Sequence, residues 1–357
     1  MNTLTRSLFK SLPVVGALPE RTVGRVRPTK RVVRAKRAVI TFLATLFGIN
    51  VLLGVGMDTF SPRLRDAEYV ERRQRAEVRQ AIAGNRPYLV ALGSSRVSFG
   101  VRPLVVDGAD QPAIANMSLV GSGPILQLLA LQRLLRDGVT PDTLLVEYWP
   151  PFLNSRGSYS EFVRIDPHRF FVSDEAFVRE SMPNPDGVMS LMREIRRTPV
   201  WCHRLRLMSH LLPTWLPFEK RFDPYWTKID AAGWLPGVET LTAAERVARV
   251  KQAGDYYKPL FANYAIAPEA EKAYREILSL AKAKNIHVVF VWLPESSEFR
   301  GWYPPEVTAA NDAFRKQFKV KWVNARDWLP DEMLGDGYHL TTAGATAFTQ
   351  RLMSELK

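Results

Sequence analysis

The chain has 357 residues, 46% of them hydrophobic and 24% charged, an ordinary globular composition with length enough for a substantial core. The single cysteine, Cys202, excludes an intrachain disulfide, and the five histidines (His168, His203, His210, His287 and His339) show no zinc-ligand spacing, so no metal or other cofactor is expected. The net charge of +13 raises nucleic-acid binding, but residues 1–37 hold ten Lys/Arg against the one acid Glu20, which leaves only +4 on the other 320 residues and argues against it.

That basic tail, 1–37, precedes a charge-free stretch. Residues 38–57 read AVITFLATLFGINVLLGVGM, and their only polar side chains are Thr41, Thr45 and Asn50. As a helix, such a run spans about 30 Å, the thickness of a bilayer's hydrocarbon core. Buried core helices rarely lack any charge over such a length. Cleaved signal peptides have shorter apolar regions of about 7–15 residues ending at a small-x-small site. The segment therefore reads as an uncleaved signal anchor in the lipid bilayer. With positive residues held inside, the expectation is a single-pass protein of the inner (cytoplasmic) membrane, with its C-terminal domain periplasmic or extracellular. Residues 58–85, rich in Arg and Glu with Tyr69, Val70, Val78 and Ile82 between them, read as a linker: either an amphipathic helix lifting the domain off the membrane or a solvated surface helix of the domain itself.

From residue 86 strands and helices alternate. Tyr88–Leu92 is a buried strand bounded by Pro87 and Gly93, and Gly93-Ser94-Ser95-Arg96 follows it. A serine on a tight turn after a strand is exposed for nucleophilic attack once a base takes its proton, and backbone N–H groups there can face an oxyanion. The same tripeptide is also common in ordinary polar turns. A second strand, Ala113–Leu119, leads through Asn116–Gly121 into a helix from Pro124 to Leu135. Gly121 offers an unhindered N–H at that turn, which is equally an ordinary strand–helix connection. Thr143–Tyr148 is the third strand.

Residues 150–265 break the rhythm. They are rich in aromatics, Arg and Pro, as in Arg169-Phe170-Phe171 and Asp223-Pro224-Tyr225-Trp226, with helices expected over Val188–Arg197 and Ala243–Gln252. Their aromatics pack an irregular insertion or stack on sugar rings. Alternation resumes with a helix over Pro268–Lys284, a strand over Ile286–Trp292, a helix over Glu306–Phe318 and a strand over Lys321–Asn324. Asp336-Gly337-Tyr338-His339 then precedes a last helix, Thr342–Leu356. Histidine is the usual general base, and a carboxylate on its second nitrogen fixes the tautomer and stabilises the imidazolium. The implied fold is α/β: a three-layer parallel sheet with helices on both faces, flavodoxin-like, preceded by one transmembrane helix. Ligands bind such sheets beyond the strands' carboxyl ends, where Ser95, Gly121, Glu147, Pro294 and Asp336 fall.

In this order the motifs resemble the SGNH, or GDSL-like, hydrolase superfamily over about residues 86–150 and 284–356. Gly93-Ser94-Ser95 matches the first block with serine replacing aspartate, Gly121 the second-block glycine, and Asp336-x-x-His339 the fifth, with Leu340 and Gly344 following as is common in the family. The resemblance implies Ser95 as nucleophile, His339 as base, Asp336 as its orienting acid, and the N–H groups of Ser95 and Gly121 as oxyanion donors. The third block, Gly-x-Asn-Asp, is missing. Glu147-Tyr148-Trp149-Pro150-Pro151-Phe152-Leu153-Asn154 stands there, so Asn154 is the candidate donor, placed later than usual. The Ser-Ser-Arg variant and the anchor are similar to membrane-anchored SGNH-like proteins of envelope acylation systems, such as those of alginate acetylation and teichoic-acid alanylation. That likeness implies an extracytoplasmic serine esterase or O-acyltransferase acting on acyl esters of a carbohydrate or other envelope polymer. Arg96 and Arg102 face an anionic polymer in that reading, or are ordinary surface or ion-paired arginines. The alternative is a non-catalytic binding or assembly partner of a membrane-bound acyltransferase.

Overall fold

A parallel strand buried on both faces must offer apolar side chains to two layers at once. The computed structural model describes residues 29–60, 62–154, 161, 165–216, 228–237, 239 and 241–356; most of the basic tail and the Asp223–Trp226 stretch lie outside them. Five strands, β1 (Tyr88–Leu92), β2 (Ala113–Asn116), β3 (Thr143–Glu147), β4 (His287–Trp292) and β5 (Lys321–Asn324), form one parallel sheet in the order β2-β1-β3-β4-β5. Leu89 lies opposite Thr143 and Val146 opposite Phe290. Alternate side chains then divide between two cores. Val90, Leu92, Leu144, Val146, Phe290 and Trp292 enter one, and Leu89, Ala91, Leu145, Val289 and Val291 enter the other.

The helices include α1 (Lys30–Thr59), α2 (Ala67–Ala83), α3 (Ser95–Gly100), α4 (Pro124–Arg136), α5 (Pro185–Arg197), α6 (Pro199–Cys202), α7 (Arg204–Leu211), α8 (Ala243–Tyr257), α9 (Pro268–Ala283), α10 (Pro305–Arg315) and α11 (Thr342–Leu356). Side chains of α2, α4, α9 and α10 fill the first core. Those of α3 and α11 fill the second, so the sheet is sandwiched between helical layers. The chain separates into two units, one ending at Ile49 and one comprising Asn50–Lys357. Among the described residues α1 is the one helix long and apolar enough to cross a membrane.

The segment expected as a linker is part of the domain. Its arginines serve the sheet. Strand β2 is an edge strand, whose outward carbonyls need partners. Arg79 Nε donates to Ile114 O (3.1 Å), and Arg72 Nη1 to Asn116 O (3.1 Å) and Gly233 O. Arg72 is fully buried, and its Nη2 also donates to Ser98 Oγ at 2.7 Å. Helix α2 is therefore a surface helix of the domain itself, with Arg72 and Arg79 buried on one face and Val78 and Ile82 exposed on the other. Strand β2 ends at Asn116 instead of Leu119 because the Asn116 amide turns inward. Its Nδ2 donates to Val97 O and Val101 O, and its Oδ1 accepts from Ser118. Helix α8 runs on past Gln252 to Tyr257, whose ring packs against Trp149 and Tyr338.

The irregular insertion is fastened to the sheet at several points. The Glu161 carboxylate accepts the N–H groups of Gly123 (2.8 Å), Ile125 (2.9 Å) and Leu126 (2.6 Å), capping α4. Leu235 N–H donates to Ser98 O and Trp234 Nε1 to Phe99 O, laying residues 234–235 along α3. Gly233 makes this possible. Its φ is +89°, and a Cβ there would stand 2.3 Å from Asn116 O.

Arg72 Nε also lies 3.7 Å from the buried Glu68 carboxylate, so replacing Arg72 by Met leaves two buried carbonyls and Ser98 without their cation and Glu68 without its buried partner. The expected cost is about 3 kcal/mol, read as a lower urea midpoint for the full chain in detergent. An unchanged midpoint contradicts this role for Arg72.

Candidate active site

Only Gly93 and Ser94 separate the carboxyl end of β1 from α3. Ser94 is the N-cap, its hydroxyl accepting from Arg96 N–H at 3.2 Å, and Ser95 is the first helical residue. Gly93 is required by close approach. A Cβ there would lie 2.3 Å from Val97 Cγ2 and 2.7 Å from Glu147 Oε2. The Glu147 carboxylate at the end of β3 accepts the Ser94 N–H at 2.5 Å, which fixes the turn from behind.

The histidine arrives on a loop folded upon itself. Leu334 and Leu340 form an antiparallel bridge, and Gly335 N–H donates to His339 O at 2.9 Å. Asp336 Oδ1 accepts the N–H groups of Tyr338 (3.2 Å) and His339 (2.8 Å), while Oδ2 lies 2.7 Å from His339 Nδ1. On the other side of the ring, His339 Nε2 lies 2.8 Å from Ser95 Oγ. The structure thus brings Ser95, His339 and Asp336 into one hydrogen-bonded chain. Burial alone would raise the Asp336 carboxyl, but the neighbouring imidazole and the N–H bonds outweigh it and hold it below the usual carboxylate range. Phe99 meets the imidazole edge-to-face, with centroids 5.1 Å apart, and Tyr338 lies against it at 4.1 Å.

Arg96 does not face a polymer. It is 1% exposed and points into the sheet. Its Nη2 donates to Leu293 O and Pro294 O, both at 3.0 Å, and its Nε to Tyr338 O at 3.3 Å. It lies 3.7 Å from both Glu147 and Glu295 and 4.7 Å from the centroid of the Trp149 ring. Burial pushes the Glu147 carboxyl up, although Arg96, Ser94 and His339 pull the other way. Arg102 packs over Trp234 and donates to Thr346 Oγ1 at 2.8 Å.

Asn154 is likewise turned from the role expected of it. Its Nδ2 donates to Leu260 O at 2.5 Å and its Oδ1 accepts from Ala265 N–H at 3.3 Å, joining the exit of β3 to the end of the insertion. Gly121, with φ +79°, sits in the turn after β2, beside β1. Glu147, which the sequence places at a strand end without giving it a role, and Glu295 both support the site. Glu295 Oε1 accepts from Trp149 Nε1 (3.0 Å), Trp292 Nε1 (3.1 Å) and Tyr303 Oη (2.8 Å). The available signal was an acid ending a buried apolar strand, a place where carboxylates rarely lie unless paired.

Two cavities flank the triad. One of about 300 Å³ is lined by Phe99, Pro236, Arg249 and His339. The other, of about 510 Å³, is lined by Arg249, Gln252, Tyr256, Tyr257 and Tyr338. Both touch Asp336. A hollow of about 350 Å³ at the strands' amino ends, lined by Pro87, Thr143, His287 and Lys321, is remote from this chemistry.

No family model and no curated protein matches the chain. Among solved structures it is similar to a Streptococcus pneumonia chain provisionally described as a platelet activating factor, at 13% identity and TM-score 0.37 over 82% of this chain and 94% of that one. It is also similar to a Bacteroides fragilis chain provisionally described as an acylhydrolase, at 10% identity and TM-score 0.33 over 76% and 88%. Likenesses this distant say nothing about chemistry, which rests on the geometry of the site.

Because the Asp336 carboxyl is lowered on folding, it contributes stability that is complete above its unfolded value of 3.8 and is lost as pH falls through the lower folded value. The stability difference between the wild type and Asp336→Asn should therefore shrink as pH falls below about 4. Urea titrations across this range check it, and a difference that grows toward acid contradicts it.

Proposed function

We propose that this chain is an extracytoplasmic serine esterase or O-acyltransferase acting on acyl esters of an envelope carbohydrate. The observation that carries the reading is the chain of two contacts, Ser95 Oγ to His339 Nε2 at 2.8 Å and His339 Nδ1 to Asp336 Oδ2 at 2.7 Å. Nucleophile, base and orienting acid within hydrogen-bond reach are the working parts of an acyl-transfer site.

In the proposed reaction Ser95 Oγ attacks the acyl carbon as His339 Nε2 takes its proton. The negative oxygen of the tetrahedral intermediate is met by the N–H groups of Ser95 and Gly121. Collapse breaks the ester bond, and the departing alkoxide takes the proton from His339, leaving an acyl-serine. Water then attacks in an esterase, or a sugar hydroxyl in a transferase. His339 again receives the proton and returns it to Ser95 Oγ as the acyl group leaves. Asp336 holds the proton-bearing Nδ1 and stabilises the imidazolium. The cavity beside Tyr256, Tyr257 and Tyr338 supports a carbohydrate on the alcohol side, because tyrosine faces and the Gln252 amide suit sugar rings and hydroxyls. The ten Lys/Arg before the apolar span support a cytoplasmic N-terminus in the inner membrane, with the domain outside.

One observation favours the second reading, an assembly partner of a membrane acyltransferase: Asn154 is turned toward Leu260 and Ala265 instead of the site. Ester hydrolysis by the full chain in detergent separates the two. With p-nitrophenyl acetate, Ser95→Ala should lower kcat/KM by about 10³-fold or more, and a fluorophosphonate should label Ser95. Equal rates in wild type and variant sink the catalytic reading and leave the assembly role.

A further inference from the structure

Helices α6 and α7 and the turn after them carry a cluster of large exposed apolar side chains. Trp201 is 67% exposed, Leu211 75% and Trp215 71%, with Leu205 and Leu212 beside them at 44% and 41%. Single exposed apolar residues need no explanation, but five within fifteen residues, two of them tryptophan, do. From Arg196 to Leu216 there are four arginines and no acid. The Arg204 guanidinium lies 4.1 Å from the centroid of the Trp201 ring.

The segment is joined to the outer end of the apolar helix. Asn50 Oδ1 accepts the Val200 N–H at 3.4 Å. A Cβ on Gly54 would lie 3.3 Å from Arg196 O and 3.6 Å from Pro199 Cγ, so glycine admits the approach. Asn50 stands seven residues before Met57, where the charge-free run ends. Seven residues of helix are about 10 Å, so these contacts lie about 5–10 Å inside the outer limit of the run. Interfacial amphipathic helices bury their apolar faces to about that depth, with tryptophan at headgroup level and basic residues toward anionic lipid.

We infer that residues 199–215 form a second membrane contact: a monotopic patch in the outer interface of an anionic bilayer, in which Trp201, Leu205, Leu211, Leu212 and Trp215 enter the headgroup–acyl boundary beside α1. The patch covers its own apolar surface with lipid. It also offers a partner to Asn50, the most polar side chain of the span. The inference rests on α1 crossing the membrane and is independent of the esterase reading.

The test uses the full chain in nanodiscs of mixed phosphatidylcholine and phosphatidylglycerol. Cys202→Ser removes the native thiol, and single cysteines at Phe47, Leu211 or Val247 receive a nitroxide. All three side chains are well exposed, at 71%, 75% and 63%, so the substitutions leave packing intact. Relaxation by oxygen, which concentrates in lipid, is compared with relaxation by a water-soluble nickel chelate. The Phe47 and Leu211 labels should favour oxygen and the Val247 label the chelate. A Leu211 label that matches Val247, while Phe47 remains in lipid, overturns the second contact and leaves the span. A Leu211 label shielded from both reagents overturns it in favour of a protein partner. A chelate-accessible Phe47 removes the span and the patch together.

Discussion

The buried guanidinium of Arg96 is the constraint on which the rest of the site depends. A cation removed from water must find its hydrogen bonds and its counter-charge inside the protein. This one takes the carbonyls of Leu293 and Pro294 at the exit of β4 and that of Tyr338 on the histidine loop. Its charge faces Glu147, from the end of β3, and Glu295. Because Arg96 follows Ser95 in the chain, Ser95, two strand exits and the loop bearing His339 are tied to a single planar group. The 2.8 Å separation of Ser95 Oγ and His339 Nε2 is set by these buried bonds as much as by the two residues that make it. Replacing the guanidinium with an ammonium would keep the charge but lose the fork that spans three carbonyls.

The same device recurs at the sheet's edge. Arg72 and Arg79 cover the open side of β2, and Arg133 joins Asp66 (2.9 Å), Asp174 (2.6 Å) and Arg169 O (2.9 Å). Burial would raise the Asp66 carboxyl, yet Arg169 and Arg133 hold it below its ordinary value. Such pairs add little net stability over an apolar core, but losing one partner strands the other and costs several kcal/mol. They fix where irregular chain meets regular sheet. They also explain why the domain's modest positive charge does not read as a surface field: several of its arginines are interior.

What was legible in the sequence follows from this division. The strands could be read because Tyr88–Leu92 and His287–Trp292 are apolar runs with turn residues at their ends, and two-sided burial demands just that. Ser95, Asp336 and His339 could be singled out because a serine just after β1 and an Asp-x-x-His ahead of the last helix are the residue types that a nucleophile, an acid and a base require. The placement of Arg96 could not be read. An arginine after a serine looks the same on a surface as in a core, and its partners lie as far away as Tyr338. Helix α2 was misleading for the same reason, since its Arg/Glu composition is that of a solvated helix. Asn154 was assigned by nearness in sequence to the third strand, whereas its amide is fixed by Leu260 and Ala265, more than a hundred residues on.

With Asn154 turned away, the burden on the proposed oxyanion site shifts to backbone N–H groups. Loss of one donor typically lowers kcat by about 10²–10³. A six-residue α3 adds only a small dipole at Ser95, since the macrodipole sums over aligned peptides. A site so equipped gains most from holding its substrate near. Confinement to a bilayer raises the effective concentration of any partner or polymer kept at the same surface, and needs no additional contact in the site itself. An enzyme limited in the chemical step benefits from such tethering only if the acyl-bearing group reaches Ser95 in the correct orientation. Cavities lie on either side of Asp336, with Arg249 lining both and His339 lining one. In the proposed reading, an apolar helix and a reduced set of oxyanion donors are compatible properties of a slow, tethered acyl-transfer protein.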